Sequence, residues 1–383
     1  VTVSSTYLDY NATAPARPQV KAAMMAALDL MANPSSIHAG GRAARAVIEA
    51  AREAVAALVM VPAQTLIFTS GGTEANALGI ESAVAAGSRR LIIGATEHDC
   101  VLETALASGA AVEIWPVDGH GVADLTWLSD RLARWDRADG RPFAALMLAN
   151  NETGVIQPTR EAADLLRAYE GWLHVDAVQA AGKIIVDGRG CGADTLALSA
   201  HKLGGPQGSG ALTFGPRAVL SRRLHGGGQE RGRRAGTENL PGIAGFGAAA
   251  DATLADISQM KTQAAWRDDA AAYLKSEAGI QVVGESAARL PNTLCLAKAG
   301  FSADLQVMAL DLAGVMVSTG AACSSGKVRP SPVLTAMGLE PLAGSALRVS
   351  GGWDTTQLDW TRFAQVWLEA NQRHQSRRPA SAA

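Results

Sequence analysis

Four stretches of this sequence set a chemically capable side chain among small or flexible neighbours. Lys202 lies in Ser199-Ala200-His201-Lys202-Leu203-Gly204-Gly205-Pro206-Gln207-Gly208, directly after the apolar run 195–198. A lysine at a strand end, inside a Gly/Pro-rich turn, can be kept from water with backbone close by. That setting lowers the proton affinity of an amine and lets it attack a carbonyl. Ser199 and His201 stand where they could donate to a phosphate. A solvated surface lysine is the competing reading. Asp176 closes His174-Val175-Asp176, a run that precedes the lysine strand. A carboxylate buried at a strand end is costly unless it meets a cation, and a protonated ring nitrogen is such a cation. A turn or helix-capping aspartate is the alternative.

Thr69-Ser70-Gly71-Gly72-Thr73-Glu74-Ala75-Asn76 reads as strand, glycines, then helix. It would point free backbone N–H groups and the positive end of a helix dipole at an anion, although alone it is only a βα turn with a Thr cap. It is not a nucleoside-triphosphate loop, because no lysine follows the glycines. Ser318-Thr319-Gly320-Ala321-Ala322-Cys323-Ser324-Ser325-Gly326 surrounds one thiol with small residues. A structural cysteine normally sits among bulkier apolar groups, so Cys323 reads as an exposed nucleophile on a mobile loop. Cys100, Cys191 and Cys295 read as packing residues. Glu97-His98 and Asn150-Asn151 follow two further apolar runs. Arg348 falls inside a late strand, where an anionic ligand or an internal salt bridge must satisfy it.

The elements that must position these residues alternate. Short β-rich runs at 66–68, 91–93, 111–115, 145–148, 173–175 and 195–198 are separated by Ala-rich helical stretches such as 43–59, 74–86 and 159–168. Such alternation predicts βαβ units and a mainly parallel sheet, and the nearly continuous apolar strands predict burial on both faces. The carboxyl ends of its strands would deliver the phosphate cradle, His98, Asn151, Asp176 and Lys202 to one edge, where open α/β sheets hold ligands. After residue 242 a long helical stretch to 278 is followed by strands at 280–283, 292–296 and 346–350, with helices near 304–312 and 356–370. The reading is α/β, a large domain over 14–245 and a smaller α+β domain made of 1–13 and 246–383. Residues 372–383 are expected to fray.

Composition narrows the function classes. The 383 residues carry 34 basic and 36 acidic side chains, a net charge of −2, which gives no general reason for nucleic acid or an anionic membrane as partner. Four cysteines with no CxxC pair or zinc spacing predict neither a metal site nor a disulfide framework, and a reducing, cytoplasmic setting. Residues 1–5 lack a basic or apolar leader, so no signal peptide is expected, and no apolar run is long enough to span a bilayer.

Taken together these motifs, with Tyr7-Leu8-Asp9-Tyr10-Asn11-Ala12-Thr13, Asn33-Pro34-Ser35-Ser36-Ile37-His38, Gly227-Gly228-Gln229-Glu230-Arg231, Arg234-Ala235-Gly236-Thr237-Glu238-Asn239 and Leu347-Arg348-Val349-Ser350, resemble the cysteine desulfurases over nearly the whole chain. These are fold-type I pyridoxal-phosphate enzymes of the class V aminotransferase family. The resemblance implies that Lys202 holds pyridoxal phosphate covalently and moves the substrate's Cα proton. It implies that Asp176 pairs with the ring nitrogen, Gln179 with the ring oxygen, and that His98 stacks on the ring. Gly72, Thr73, Ser199 and His201 would bind the phosphate. Thr237 would reach the cofactor of a neighbouring subunit, hence a homodimer. Asn151 and Arg348 would hold the carboxylate of L-cysteine, and Cys323 would take its sulfur as a persulfide, leaving alanine.

A sulfur-acceptor protein is then the expected partner, with an iron–sulfur scaffold among the candidates. Members that dock such a scaffold often extend beyond the point where this chain stops, so the acceptor is a separate question. Cys100 stands where the family commonly has a small residue. Competing readings are a selenocysteine lyase or aminotransferase of the same superfamily, in which Cys323 would lack a use. RNA binding through the basic, Gly-rich stretch 222–234 is disfavoured, because that stretch has no aromatic residues to stack on bases.

Overall fold

The computed structural model describes residues 5–30, 32–320 and 330–377. Its larger sheet has seven strands: β1 (Leu66–Thr69), β2 (Arg90–Gly94), β3 (Ala111–Trp115), β4 (Phe143–Ala145), β5 (Trp172–Asp176), β6 (Thr195–Ser199) and β7 (Gly210–Phe214). They lie in the order β1-β7-β6-β5-β4-β2-β3. Only β7 runs against the others, pairing antiparallel with β6 and β1. The carboxyl ends of the other strands therefore open on one edge. Every residue of β1, β4, β5 and β6 is buried, as the apolar runs predict. The edge strand β3 departs from that pattern: Ala111 and Ile114 are exposed, and Glu113 is held by Arg90 and Arg131. β4 ends at Ala145, but its chain keeps bonding to β5, since Leu146 and Leu148 donate to the carbonyls of His174 and Asp176.

A second, antiparallel sheet contains β8 (Gln281–Val282), β9 (Thr293–Ala297), β10 (Ser318–Thr319) and β11 (Ala346–Ser350), in the order β10-β11-β9-β8. The chain's beginning joins this part. Thr6–Tyr7 pairs with Val315–Met316, Asp9 bridges to Ser350, and Leu8 is buried in the same apolar cluster as Trp360 and Trp367.

The helical stretch predicted over 242–278 is two helices. Leu240–Asp256 packs Phe246, Ala249 and Ala250 into the core of the larger sheet, and Asp256 is tied to Arg17 at 2.6 Å. A 3-10 turn, Ile257–Gln259, then hands the chain to Met260–Ala278, whose Ala270, Ala271 and Leu274 belong to the other core. One straight helix could not serve both cores, so the break follows from packing. Of the tail expected to fray, residues 378–383 lie outside the described residues; before them the last helix, Gln357–Ser376, runs past residue 372 because His374 stacks on Phe301 at 4.5 Å and bonds the Gly300 carbonyl at 2.9 Å. No described helix is long and apolar enough to cross a membrane.

Candidate active site

Strand ends and one helix start meet in a cleft of about 210 Å³ at the open edge of the larger sheet. Helix Gly72–Ala85 supplies its N-terminus. No side chain caps it, so its first amides point outward unpaired by any cap. A Cβ at Gly72 would meet Val178 Cγ2 at 2.9 Å, so the backbone approaches the cleft floor only as glycine. Glu74 steadies this turn: it accepts from Ser70 N at 2.7 Å and from Arg234 at 2.9 and 3.2 Å. Burial would raise the Glu74 carboxyl, but these bonds outweigh it and hold it low.

Asp176 sits at the end of β5, almost fully buried. Its Oδ1 accepts from Val178 N at 2.8 Å and its Oδ2 from Asn76 Nδ2 at 2.7 Å. No basic side chain forms an ion pair with it among the described residues. Burial raises its carboxyl, opposed by those two bonds and by the charges of His98 and Lys202. An anion so placed calls for a cation in the cleft.

Lys202 follows β6 through a single 3-10 turn. Its Nζ donates to the carbonyls of Asn11 at 2.6 Å and Ala12 at 2.8 Å, and to no carboxylate among the described residues. Burial first, and then the Arg348 charge, bring it down to about 8, against the opposing pull of Asp9 and Asp176. The neutral, nucleophilic amine is the form present above that value. Covalent capture of an aldehyde such as pyridoxal phosphate by the apo-protein is therefore expected to quicken with pH, reach half its limit at about 8 and then level off. Absorbance stopped-flow across that range checks this, and a midpoint at the ordinary lysine value would contradict it.

His98 caps helix Asp99–Ala107, its Nδ1 accepting from Cys100 N at 3.1 Å, which fixes the ring at the cleft. Asn151, Gln179, Ser199, Thr73 and His201 line the same cleft. His201 bonds Thr13 Oγ1 at 3.2 Å and is pushed down to about 4 by burial and then by the Lys202 charge, so it is neutral at pH 7. Gln179 is already engaged, donating to Asn11 O at 3.0 Å and accepting from Lys183 Nζ at 2.5 Å.

Two expected site residues, Arg348 and Thr237, are not among those that line this cleft. Arg348, on β11, is paired with Asp9 at 2.8 Å and donates to Asn151 O at 3.2 Å, so the internal salt bridge is present; its Nε is buried without a partner among the described residues. Thr237 is exposed in a separate hollow with Ser70 and Arg234. Cys323 lies outside the described residues. The ends of the segment that carries it come together: Ser331 Oγ donates to buried Glu152 at 2.6 Å, and a Cβ at Gly320 would meet Glu152 Oε2 at 2.3 Å. Glu152 is the next residue after Asn151.

Sequence reasoning gave no role to Asn11 or Lys183. Asn11 bonds Lys202, Gln179, Lys183, Asn151 and Thr293 at once, joining the two sheets at the cleft. Lys183 is buried behind it, 2.8 Å from Asn11 Oδ1, and burial drives its amine well below the ordinary lysine value. Its spacing of four residues from Gln179 was the available signal. The basic stretch 222–234 is occupied internally: Arg223 pairs with Glu81, Arg234 with Glu74, and Arg233 lies over Phe214.

The Aminotransferase class-V family matches residues 6–363. A protein of Cereibacter sphaeroides described as a cysteine desulfurase is 40% identical over 383 residues, covering 94% of each chain. A solved structure described as a NifS-like protein superposes with a TM-score of 0.87 at 30% identity, covering 97% of this chain and all of the other. A solved structure of SspA in complex with cysteine gives a TM-score of 0.77 at 28% identity, covering 90% of this chain and 98% of that one.

Proposed function

The chain belongs to the class-V aminotransferase family, and from that premise we infer that it is a cysteine desulfurase, taking the sulfur of L-cysteine and leaving alanine with pyridoxal phosphate as cofactor. One observation carries the reading: a buried carboxylate without a cation and an amine of lowered basicity share a cleft floored by an uncapped helix start. Pyridoxal phosphate brings the three complements: a ring nitrogen for Asp176, a carbonyl for Lys202 and a phosphate for the amides of helix Gly72–Ala85. Bound there, it supplies an electron sink for the substrate's α-carbon.

The chain's own residues do the rest. Lys202 would hold the cofactor and would take the substrate's Cα proton. Its depressed basicity suits both tasks near neutral pH. Gly72, Thr73, Ser199 and neutral His201 receive the phosphate. Gln179 would bond the ring oxygen, and His98 would stack on the ring and assist proton movement. Asn151 and Arg348 receive the substrate carboxylate, which would compete with Asp9 for the guanidinium and could use the unpartnered Nε. The Cys323 thiolate would attack the substrate sulfur; the Cβ–S bond breaks with its electron pair left on the substrate, which is protonated to alanine, and Cys323 keeps the sulfur as a persulfide.

Thr237 is exposed and apart from the Lys202 cleft, which suits a place in a neighbouring subunit's site and hence a homodimer. The persulfide then serves a cytoplasmic acceptor protein of iron–sulfur or other thio-cofactor assembly. The test is turnover. Purified holo-protein given L-cysteine and a thiol reductant is expected to release alanine and sulfide in equal amounts. Bound cofactor without alanine would contradict the reading and favour amino-group transfer.

A further inference from the structure

Trp172, His174 and Asp176 alternate along β5 and so share one face, the face covered by helix Gly72–Ala85. Asn76 and Gly79 lie one turn apart on that helix and meet His174. A Cβ at Gly79 would come within 2.6 Å of His174 Nδ1, so the helix carries glycine where the ring needs room. Phe143 stacks on the imidazole, 6.5 Å between centroids.

Within this packing a chain of hydrogen bonds runs to Asp176. Trp172 Nε1 donates to Thr195 Oγ1 at 3.2 Å. Thr195 Oγ1 lies 2.9 Å from His174 Nδ1, and His174 Nε2 lies 2.9 Å from Asn76 Oδ1. Asn76 Nδ2 then reaches Asp176 Oδ2 at 2.7 Å and Cys100 Sγ at 3.2 Å. The indole can only donate, so the threonine hydroxyl is free to pass its own proton to Nδ1. His174 then carries its proton on Nε2, and the amide must face it with oxygen and Asp176 with nitrogen. Reversing the chain would turn the amide oxygen to Asp176 Oδ2, and two acceptors at that distance are tolerated only if Asp176 is protonated. The direction of the chain and the charge on Asp176 are thus one variable. Burial holds His174 down to about 3, so it stays neutral and the choice is between its tautomers.

We propose that Asn76 and His174 are positioning residues: the chain from Trp172 through Thr195 presents a fixed N–H to Asp176 Oδ2 and holds that carboxylate anionic for the cation the cleft receives. The proposal rests on the reading that the cleft binds pyridoxal phosphate. It predicts that Asn76→Leu, which keeps the shape and removes the donor, weakens binding of pyridoxal phosphate to the apo-protein by about tenfold or more at every pH. Asn76→Asp sets two carboxyls face to face. They share a proton at low pH and repel when both are charged, so its deficit relative to wild type grows as pH rises. Glu97, His98, Cys100 and Lys202 also face Asp176; of these Cys100 bonds Asn76, and losing that bond raises its already raised thiol further, so that thiol stays protonated in all three proteins.

Equilibrium dialysis against pyridoxal phosphate over a pH series, with ¹⁵N NMR of His174 in histidine-labelled wild type, tests it. The expected results are the two deficits with their different pH dependence, and the proton on Nε2. Binding by Asn76→Leu within about twofold of wild type, an Asn76→Asp deficit that ignores pH, or a proton on Nδ1 would each overturn it. Should Asn76→Leu not fold, the aspartate series and the tautomer decide. Failure of the wild type to bind would strike the reading of the cleft itself.

Discussion

Lys202→Ala is expected to lose covalent attachment of the cofactor completely and to lower alanine formation by about four orders of magnitude, since one side chain serves as both tether and proton carrier. The loss should be confined to chemistry. Lys202 leaves behind two carbonyls: Asn11 O still accepts from Gln179 Nε2 at 3.0 Å, and Ala12 is exposed, so solvent can reach its carbonyl. The variant should therefore fold and still take up pyridoxal phosphate through Asp176 and the start of helix Gly72–Ala85. Its absorbance should lack the band of the attached form. The natural competitor is Lys183, the other amine at Asn11. It is buried and spends its protons on Asn11 Oδ1 and Gln179 Oε1. Retention of more than about a tenth of the activity in Lys202→Ala would mean that Lys183 or another base does the work.

Cys323→Ala is expected to lower turnover by at least about a thousandfold and to leave cofactor uptake unchanged. Cys100 lines the cleft, but burial, and then the charge of Asp176, push it up to about 12. Cys295 is fully buried and also reaches about 12, through burial first and the Glu152 charge second. Burial raises Cys191 as well. A thiol at about 12 is ionised in roughly one molecule in a hundred thousand at pH 7, and the thiolate is the nucleophile. None of the three described thiols offers a reactive sulfur near neutrality, and Cys323 is the remaining cysteine of the sequence. Cys100→Ala is the matching control and should retain turnover.

What could be read in the sequence was what local pattern encodes. Asp176 and Lys202 stand at strand ends with turn residues behind them, and Gly72 opens a helix after a strand, so their meeting at one sheet edge follows from parallel order alone. Partners fixed by packing were not readable. Asn76 and Asp176 are 100 residues apart, and Arg348 and Asp9 are 339 apart. No spacing rule connects such pairs. Arg348 announced only that some anion must meet it, and the choice of Asp9 came with the pairing of the N-terminal segment beside β11. The break after Asp256 was hidden for a related reason: Ala-rich helix continues on both sides of it, and only the existence of two separate cores requires the turn.

Intact mass spectrometry of the holo-protein after L-cysteine, without reductant, tests the central claim most directly. The expected result is a gain of one sulfur atom, mapped to Cys323, with alanine formed about once per site and no gain in Cys323→Ala. A wild-type protein that binds the cofactor yet gains no sulfur and forms no alanine would contradict it.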